Sequence, residues 1–273
     1  MASEAVRADG DWLALREPAD ATARAGELVD ALVRHLPPDR PLVVHDLGCG
    51  TGSMVRWLAP RLPGPQRWVL HDRDRDLLDL VATYPLPLSG DGTAVTVETR
   101  PGDITRLRPE GLRHADLLTA SALLDMMTAA ELARFVTGCV GAGCPVLVTL
   151  SVVGRVELGP PDPLDGDLAD AFNAHQRRAT PTGALLGPDA SAAAVAGLGA
   201  ADLDVTVRPS PWRLGSDHRR LAAAWLTGWV DAAVEQRSDL AAEAESYTRR
   251  RLAQAAAGTL TVTVHHEDLL AVP

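Results

Sequence analysis

A loop after a short apolar run contains three alternating glycines, Gly48, Gly50 and Gly52, with Cys49 between the first two. Glycines lack a Cβ atom, so backbone N–H groups in such a loop can approach a ligand closely. A dinucleotide site needs the spacing Gly-x-Gly-x-x-Gly, and here the third glycine stands one position early. Asp46 also precedes the loop, and its carboxylate would repel a pyrophosphate but attract an ammonium group. The loop is therefore predicted to bind a cationic ligand in preference to a dinucleotide.

The elements that must position this loop alternate between strands and helices along the chain. This alternation predicts a three-layer, Rossmann-like α/β fold with a mainly parallel sheet, in which ligands bind at the carboxyl ends of the strands. Hydrophobic periodicity, turn residues and predicted helix caps at Thr128 and Asp189 give the boundaries of these elements. Strands are predicted over 41–46, 67–72, 95–99, 115–120, 146–153, 203–208 and 259–265, and helices over 10–36, 54–62, 74–83, 129–140, near 168–178, after Asp189 and, as a pair, within 216–257.

The segment from Asp46 to Gly52 resembles the complete first motif of the class I S-adenosylmethionine (SAM)-dependent methyltransferases. SAM carries an ammonium and a sulfonium group and no phosphate, so it suits the acidic loop. The resemblance covers residues 40–155 well and the final strands more loosely, and it implies that the last strand is antiparallel. It implies ribose contacts near the end of the second strand, adenine contacts after the third, and contacts to both SAM and acceptor after the fourth. The implied cofactor contacts are Asp46, Gly48, Cys49, Gly50, Gly52, Asp72, Arg73, Gly102, Asp103, Ile104, Ser121, Ala122 and Arg16.

The domain organisation follows from the same pattern. Residues 1–39 are predicted to be an N-terminal helical segment that acts as a lid, and residues 40–273 to be the SAM-binding domain with helical insertions at 155–182 and 216–257. Family members often close such a segment over SAM, and an arginine there can pair with the SAM carboxylate in a bidentate manner. Arg16 and Arg24 are the two candidates, and a solvated helix face stays an alternative for each.

Some of these positions have simpler interpretations. A dinucleotide site would also place an acid at Asp72, and Asp103 could cap the turn that follows it. Cys49 is most simply a small side chain in the loop.

Two residues are candidates for catalysis. Methyl transfer is an in-line displacement at carbon that needs a base only when the nucleophile loses a proton. His175, in the first insertion, has an imidazole that could act as a base, and Asp125 follows the fourth strand. A solvated position is the alternative for each of them. Trp212 and Arg213 follow the sixth strand, where they could stack on the acceptor and bind an acidic group, or serve packing alone.

Composition excludes several classes of function. The net charge of -10 disfavours nucleic acid as a partner, and no apolar run is long enough for a membrane span. The sequence contains no lysine, which excludes chemistry that needs a lysine Schiff base. The segment from His265 to Asp268 contains metal-ligand residue types, but neighbours in a strand point to opposite sides, so we predict no metal site. Sparse cysteines and the absence of a secretory signal in the N-terminal sequence predict a cytoplasmic protein.

The sequence thus predicts a SAM-dependent methyltransferase with a small-molecule acceptor, such as an acid or a secondary metabolite, and S-adenosylhomocysteine as product. A non-methylating SAM-binding protein or a cyclase on the same fold is an alternative, since fold does not fix function. An NAD-dependent oxidoreductase is a third hypothesis. Leu221, Trp225 and Trp229 share one helix face, which favours packing on the sheet or on another subunit, so a homodimer stays open.

Overall fold

Strands and helices alternate over the part of the chain that the computed structural model describes, residues 8–106 and 109–273. The strands are β1 (Leu42–Leu47), β2 (Gln66–Asp72), β3 (Val95–Pro101), β4 (Leu117–Ser121), β5 (Val146–Gly159), β6 (Ala179–Thr180), β7 (Gly183–Ala184), β8 (Asp204–Pro209), β9 (Trp212–Leu214) and β10 (Thr261–Val272). The helices are α1 (Gly10–Ala23), α2 (Gly26–Val33), α3 (Ser53–Leu58), α4 (Arg75–Val81), α5 (Ala129–Ala142), α6 (Asp165–Gln176), α7 (Ala190–Gly199), α8 (Arg219–Gln236) and α9 (Ala241–Ala257).

The main sheet has the strand order β3-β2-β1-β4-β5-β10-β8, and β9 pairs with β10. The first five strands are parallel to one another, whereas β10 is antiparallel to β5, β8 and β9. The strand order reverses between β1 and β4, which places a ligand crevice at the carboxyl ends of these strands. The predicted Rossmann-like fold, mainly parallel with its last strand antiparallel, is confirmed.

Helices cover both faces of the sheet. One apolar cluster joins α2, α3 and α4 to side chains such as Val44, Trp68 and Leu70, and a second joins α5 and α7 to Leu118 and Val148 on the opposite face. The central strands of the sheet are therefore buried on both faces, which agrees with their apolar sequences. No helix of the described chain has the length and apolarity that crossing a bilayer requires.

Four element predictions were wrong. The predicted helix over 10–36 is two helices, because the chain bends at Arg24 and Ala25, immediately before Gly26. The final strand extends to Val272 and β5 extends to Gly159, so both are much longer than predicted. Asp189 does not cap α7 with its side chain but pairs with Arg177, at 2.6 Å. The cap at Thr128 is confirmed as a capping box.

The predicted insertions form a helical layer at the far ends of β5 and β10. There α6, α8 and α9 share an apolar cluster that includes Trp229 and Tyr247. Arg251, 1% exposed, donates to both carboxylate oxygens of Asp165 at 2.6 and 2.8 Å, and the Tyr247 hydroxyl donates to Asp165 at 2.7 Å. The face of Leu221, Trp225 and Trp229 packs within this chain, as expected.

Asp268 on β10 connects three irregular points of the fold. The carboxylate is fully buried and accepts from the backbone N–H groups of Ala25 at 2.8 Å and Leu150 at 2.7 Å, and from the Ser210 hydroxyl at 2.5 Å. Ala25 lies between α1 and α2, Leu150 has a φ of 58° within β5, and Ser210 lies between β8 and β9. One carboxylate therefore fixes the hinge of the N-terminal helices and two departures from regular strand geometry.

We predict that Asp268→Ala lowers the free energy of unfolding by about 2–4 kcal/mol, because three buried donors lose their acceptor. Urea denaturation monitored by tryptophan fluorescence measures this loss. Asp204→Ala, at an exposed position of neighbouring β8, is the matched control and should change stability by less than about 0.5 kcal/mol. Equal stabilities of the two variants would show that Asp268 does not organise the fold.

Candidate cofactor and acceptor site

The glycine-rich loop begins where β1 ends and turns sharply into α3. Gly48, Gly50 and Gly52 have φ angles of 71°, 53° and 82°, which other residues adopt only with strain. A Cβ atom on Gly48 would lie 2.9 Å from the Leu123 side chain, and one on Gly50 would lie 3.1 Å from that of Leu13. Gly48 and Gly50 are thus needed for their backbone conformation and also because neighbouring side chains approach them closely.

The N–H groups of this loop are used within the protein. Gly48 and Cys49 both donate to the carbonyl oxygen of His71, at 2.8 and 3.0 Å, and Gly52 donates to the carbonyl oxygen of Cys49. Gly50 donates to the Asp72 carboxylate at 2.8 Å. A phosphate site needs several unused N–H groups, so this loop is poorly suited to a pyrophosphate.

Asp46 is buried at the end of β1, with 1% of its surface exposed. Its Oδ1 accepts from the Thr119 hydroxyl at 2.7 Å, and its Oδ2 has no partner among the described residues. Burial raises the pKa of Asp46 to about 7, and the charge of Arg24 opposes that rise. A buried carboxylate with an unsatisfied oxygen is costly, and a ligand ammonium group would remove that cost.

Arg24 is the buried cation of the site. It follows α1, is 5% exposed, and donates through Nη2 to the hydroxyls of Ser53 and Ser121, each at 3.2 Å. Its Nε and Nη1 have no partner within the described ranges. Asp46 and Arg24 are near enough to shift each other's pKa, yet no direct ion pair joins them. A carboxylate and a guanidinium, each with polar atoms that lack a partner in the described chain, therefore lie near enough behind the glycine-rich loop to influence each other's pKa.

Arg16 has a different environment from the one predicted. It forms a bidentate pair with Asp20, at 2.9 and 3.2 Å, and lies over the Trp212 ring at 4.8 Å. Its charge is thus balanced within α1, whereas Arg24 retains unused donors. The sequence named both arginines but did not distinguish them, because only the bend after α1 directs Arg24 inwards.

Helix α1 covers the loop in this structure. Glu17 pairs with Arg56 of α3 through two contacts of 2.6 Å, and Arg56 also donates to the carbonyl oxygen of Thr51 at 2.6 Å. The Trp57 indole donates to the carbonyl oxygen of Ala21 at 3.1 Å. Helix α1 is therefore fixed to α3, the helix that follows the loop. The lid predicted over residues 1–39 is described from residue 8, and residues 1–7 lie outside the described range.

The remaining predicted cofactor contacts lie along the same crevice. Asp72 is half-buried and accepts from Asp74 N–H as well as from Gly50, so it also holds the loop. Asp103 accepts from Thr105 N–H at 2.9 Å, which is a turn-capping contact. Gly102 and Arg73 are exposed, Ile104 and Ala122 are half-buried, Ser121 contacts Arg24, and Cys49 is buried with its pKa raised by burial. The role of each in binding stays a prediction.

The two candidate catalytic residues lie in different surroundings. His175 on α6 lies 3.2 Å from Glu235 of α8, in the helical layer. Asp125 follows β4, where burial raises its pKa to about 6 while the charges of Arg16 and Arg178 lower it. Asp125 thus lies within reach of α1 and the crevice, and it fits a role at the acceptor better than His175 does.

Trp212 is buried under α1 and does not present a free face to an acceptor. Its indole N–H donates to Asp20 at 2.9 Å, Arg16 covers one face, and Trp12 and His266 meet it edge-on. Arg213 is exposed. Within the described chain, no three histidine, cysteine, aspartate or glutamate side chains are grouped as a metal site, the segment 265–268 included.

Sequence reasoning missed a buried histidine pair beside the loop. His45 on β1 and His71 on β2 stack with ring centroids 5.1 Å apart and share a hydrogen bond of 3.0 Å between Nδ1 and Nε2. Burial lowers the pKa of each ring to about 4. The alternation of the two strands does place both side chains on one face, and this signal was available.

This pair predicts a loss of stability in acid. Both histidines have an unperturbed pKa of 6.5, so between pH 6.5 and about 4 the unfolded chain binds more protons than the folded protein. The free energy of unfolding contributed by each ring then falls by up to about 1.4 kcal/mol per pH unit as the pH is lowered. Asp46 and Asp125 act in the opposite direction, because their pKa values are raised.

We therefore predict that the double variant His45→Gln/His71→Gln loses stability less steeply than the wild type between pH 6.5 and 4. Urea unfolding at a series of pH values measures the two slopes. His35→Gln, at an exposed position, controls for loss of a surface histidine. Parallel slopes for the double variant and the wild type would contradict a neutral buried pair.

Protein-family models and curated protein sequences give no match to this chain. Solved structures similar to this chain include methyltransferases. One similar structure is the cyclopropane synthase MmaA2 from Mycobacterium tuberculosis, with 14% identity over 96% of this chain and 94% of that chain and a TM-score of 0.48. Another is geranyl diphosphate C-methyltransferase from Streptomyces coelicolor A3(2), crystallised with S-adenosyl-L-homocysteine, with 12% identity, 90% and 80% coverage and a TM-score of 0.44. An O-methyltransferase family protein from Burkholderia thailandensis has 20% identity, 73% and 57% coverage and a TM-score of 0.42. Identities this low leave activity and acceptor to the chemistry of the site itself.

Proposed function

We propose that this protein is a SAM-dependent methyltransferase that acts on a small-molecule acceptor. The observation that carries the proposal is the unsatisfied pair of Asp46 and Arg24 behind the glycine-rich loop. Buried polar atoms in proteins almost always have partners, so a carboxylate and a guanidinium that influence each other's pKa and keep unpartnered atoms suit a zwitterionic ligand. The amino-acid moiety of SAM has that pattern, with one ammonium and one carboxylate group.

The hydrogen bonds that hold the side chains of Asp46 and Arg24 support their fit to a zwitterionic ligand. Thr119 holds one oxygen of Asp46 and leaves the other open, and Ser53 and Ser121 hold one nitrogen of Arg24 and leave two open. Each side chain is thus fixed from one side, and its remaining polar atoms have no partner in the described chain. Such fixed partners lower the ordering cost of binding a ligand.

A dinucleotide is the less suitable ligand. The N–H groups of Gly48, Cys49, Gly50 and Gly52 already have acceptors within the protein. Asp46 would add a negative charge close to a pyrophosphate. These two features argue against the oxidoreductase hypothesis.

Bound SAM would supply the methyl group on its sulfonium, and residues of this chain would bind and orient the acceptor. Asp125 is the better candidate for a base, because a carboxyl group with a pKa of about 6 accepts a proton near neutral pH. Helix α1 would serve as a lid that excludes water from the crevice. The small-molecule acceptor, the cytoplasmic location and a role in secondary metabolism rest on composition and stay predictions, as does a homodimer.

Cofactor binding provides the first test. We predict that Arg24→Gln and Asp46→Asn each weaken binding of S-adenosylhomocysteine by about tenfold or more, because a buried charge of the ligand loses its partner. Isothermal titration calorimetry measures the affinities, and circular dichroism checks that each variant is folded. Arg34→Gln, at an exposed position of the N-terminal region, is the matched control and should bind as the wild type does.

The distinction between the two arginines of α1 sharpens this test. Arg16→Gln should weaken binding less than Arg24→Gln, since Arg16 is paired with Asp20. An equal or larger loss of affinity in Arg16→Gln would instead indicate that Arg16 binds the carboxylate group of the ligand. Binding of NADH without binding of S-adenosylhomocysteine would overturn the proposed function.

Activity provides the second test. Incubation of the protein with SAM carrying a labelled methyl group and with a small-molecule extract should transfer label to an extractable product. Asp125→Asn should reduce that transfer by about 100-fold while S-adenosylhomocysteine affinity stays unchanged. Tight cofactor binding without any labelled product would instead support the non-methylating alternative.

A further inference from the structure

Strand β8 forms one edge of the main sheet, and within the described chain it pairs with β10 alone. The backbone N–H of Ser210, which follows β8, donates to the carbonyl oxygen of His266 on β10 at 2.8 Å. Successive peptide groups of a strand point in alternate directions, so the N–H and C=O groups of Val205 and Val207 face away from β10. The edge therefore presents these backbone groups to a further strand.

The side chains of β8 are self-complementary about the centre of the strand. Asp204, Thr206 and Arg208 lie on one face, whereas Val205 and Val207 lie on the other and pack against the apolar cluster of α5 and α7. A second copy in antiparallel pairing, with a twofold axis at Thr206, would bring Asp204 opposite Arg208 of that copy. Opposite charges in directly opposite positions stabilise a pair of strands, and like charges destabilise it. The sequence of β8 therefore suits pairing with itself.

Arg208 can take part in this pairing and keep its partners within the chain. Its Nε lies 2.5 Å from the Glu27 carboxylate, its Nη1 donates to the carbonyl oxygen of Val207 at 2.8 Å, and 46% of its side chain is exposed. A guanidinium has several N–H donors, and a carbonyl oxygen can accept a second hydrogen bond. Arg208 can thus contact Glu27 and an Asp204 carboxylate of a second copy at once, and Asp204 itself is exposed.

The other edge strand of the sheet, β3, lacks this complementarity. Its central residue is Glu98, and a twofold axis there would place this carboxylate opposite itself. Glu98 is also paired already with Arg67 and Arg100, at 2.6 and 2.7 Å. Of the two edges, β8 is therefore the one whose charges match in a symmetric pair.

We propose that β8 is the interface of a homodimer, in which two copies pair antiparallel about a twofold axis at Thr206 and their sheets become continuous. Val205 of each copy exchanges backbone hydrogen bonds with Val207 of the other, and the two charge pairs form at the ends of the paired segment. Pro209 has no N–H and ends the pairing. The paired segment is short and the net charge of -10 opposes association, so the dimer should dissociate on dilution. This inference does not depend on the proposed function.

Cross-linking of the whole protein tests the position of the twofold axis. In antiparallel strands, opposite residues that share no backbone hydrogen bond have Cα atoms about 4.5 Å apart, a separation that a disulfide can span. The three native cysteines are buried. With oxidised glutathione, Thr206→Cys should therefore form a disulfide-linked dimer, seen on non-reducing electrophoresis. Asp79→Cys, at an exposed position of α4, is the matched control and should stay monomeric on the same gel.

Charge reversal tests the two ion pairs of the interface. Sedimentation velocity at a series of concentrations should show a monomer–dimer equilibrium for the wild type. Asp204→Arg and Arg208→Asp should each raise the dissociation constant by about tenfold or more, because like charges then face each other. An equimolar mixture of these two variants should dimerise again, since each then meets the opposite charges. Native mass spectrometry with one variant ¹⁵N-labelled identifies the mixed dimer, circular dichroism checks folding, and Asp79→Arg should dimerise as the wild type does.

Each contrary outcome would overturn the inference in a different way. A wild type that stays monomeric, or Thr206→Cys without a cross-link, would exclude a second copy at this edge and favour an extended segment of another protein there. A dimer that neither charge reversal weakens would have its interface elsewhere on the chain. Failure of the two reversed variants to form a mixed dimer would exclude the pairing of Asp204 with Arg208.

Discussion

The carboxylate of Asp268 is the contact on which the geometry of the site depends. It lies on the antiparallel strand β10 and accepts hydrogen bonds from the hinge between α1 and α2, from the left-handed residue of β5 and from Ser210. Three hydrogen bonds offset the cost of burying this carboxylate, although burial still raises its pKa. Because Arg24 adjoins the hinge, the contact that bends the N-terminal helices also directs the site's buried cation into the crevice.

Asp46 and Arg24 are buried side chains of opposite charge that form no ion pair with each other in this structure. Without other partners, a buried carboxylate and a buried guanidinium would form an ion pair. Here Thr119 holds Asp46, while Ser53 and Ser121 hold Arg24, and the remaining polar atoms of both side chains stay open. Polar atoms without partners lower the stability of the fold. Burial of the apolar clusters on both faces of the sheet offsets that loss.

The fold and the cofactor loop were predictable because their signals are local. Alternating strands, a terminal aspartate and three spaced glycines lie within short segments of sequence, and the directions of the strands followed the expectation. The bend at Ala25 was not predictable, since it is imposed by Asp268, which is more than two hundred residues away in the chain. For the same reason the sequence did not distinguish Arg16 from Arg24. The unpartnered ring nitrogen of His266 was missed because only the structure shows which polar atoms of the described chain lack a partner.

Helix α1 ties the two halves of the crevice together. Its Leu13 lies against Gly50 of the cofactor loop, while its Arg16 and Asp20 enclose Trp212 beside His266. The same helix therefore contacts both the glycine-rich loop and the indole of Trp212, which meets His266 edge-on. The pairing of Glu17 with Arg56 fixes α1 to α3, so the loop and the surroundings of Trp212 share one support.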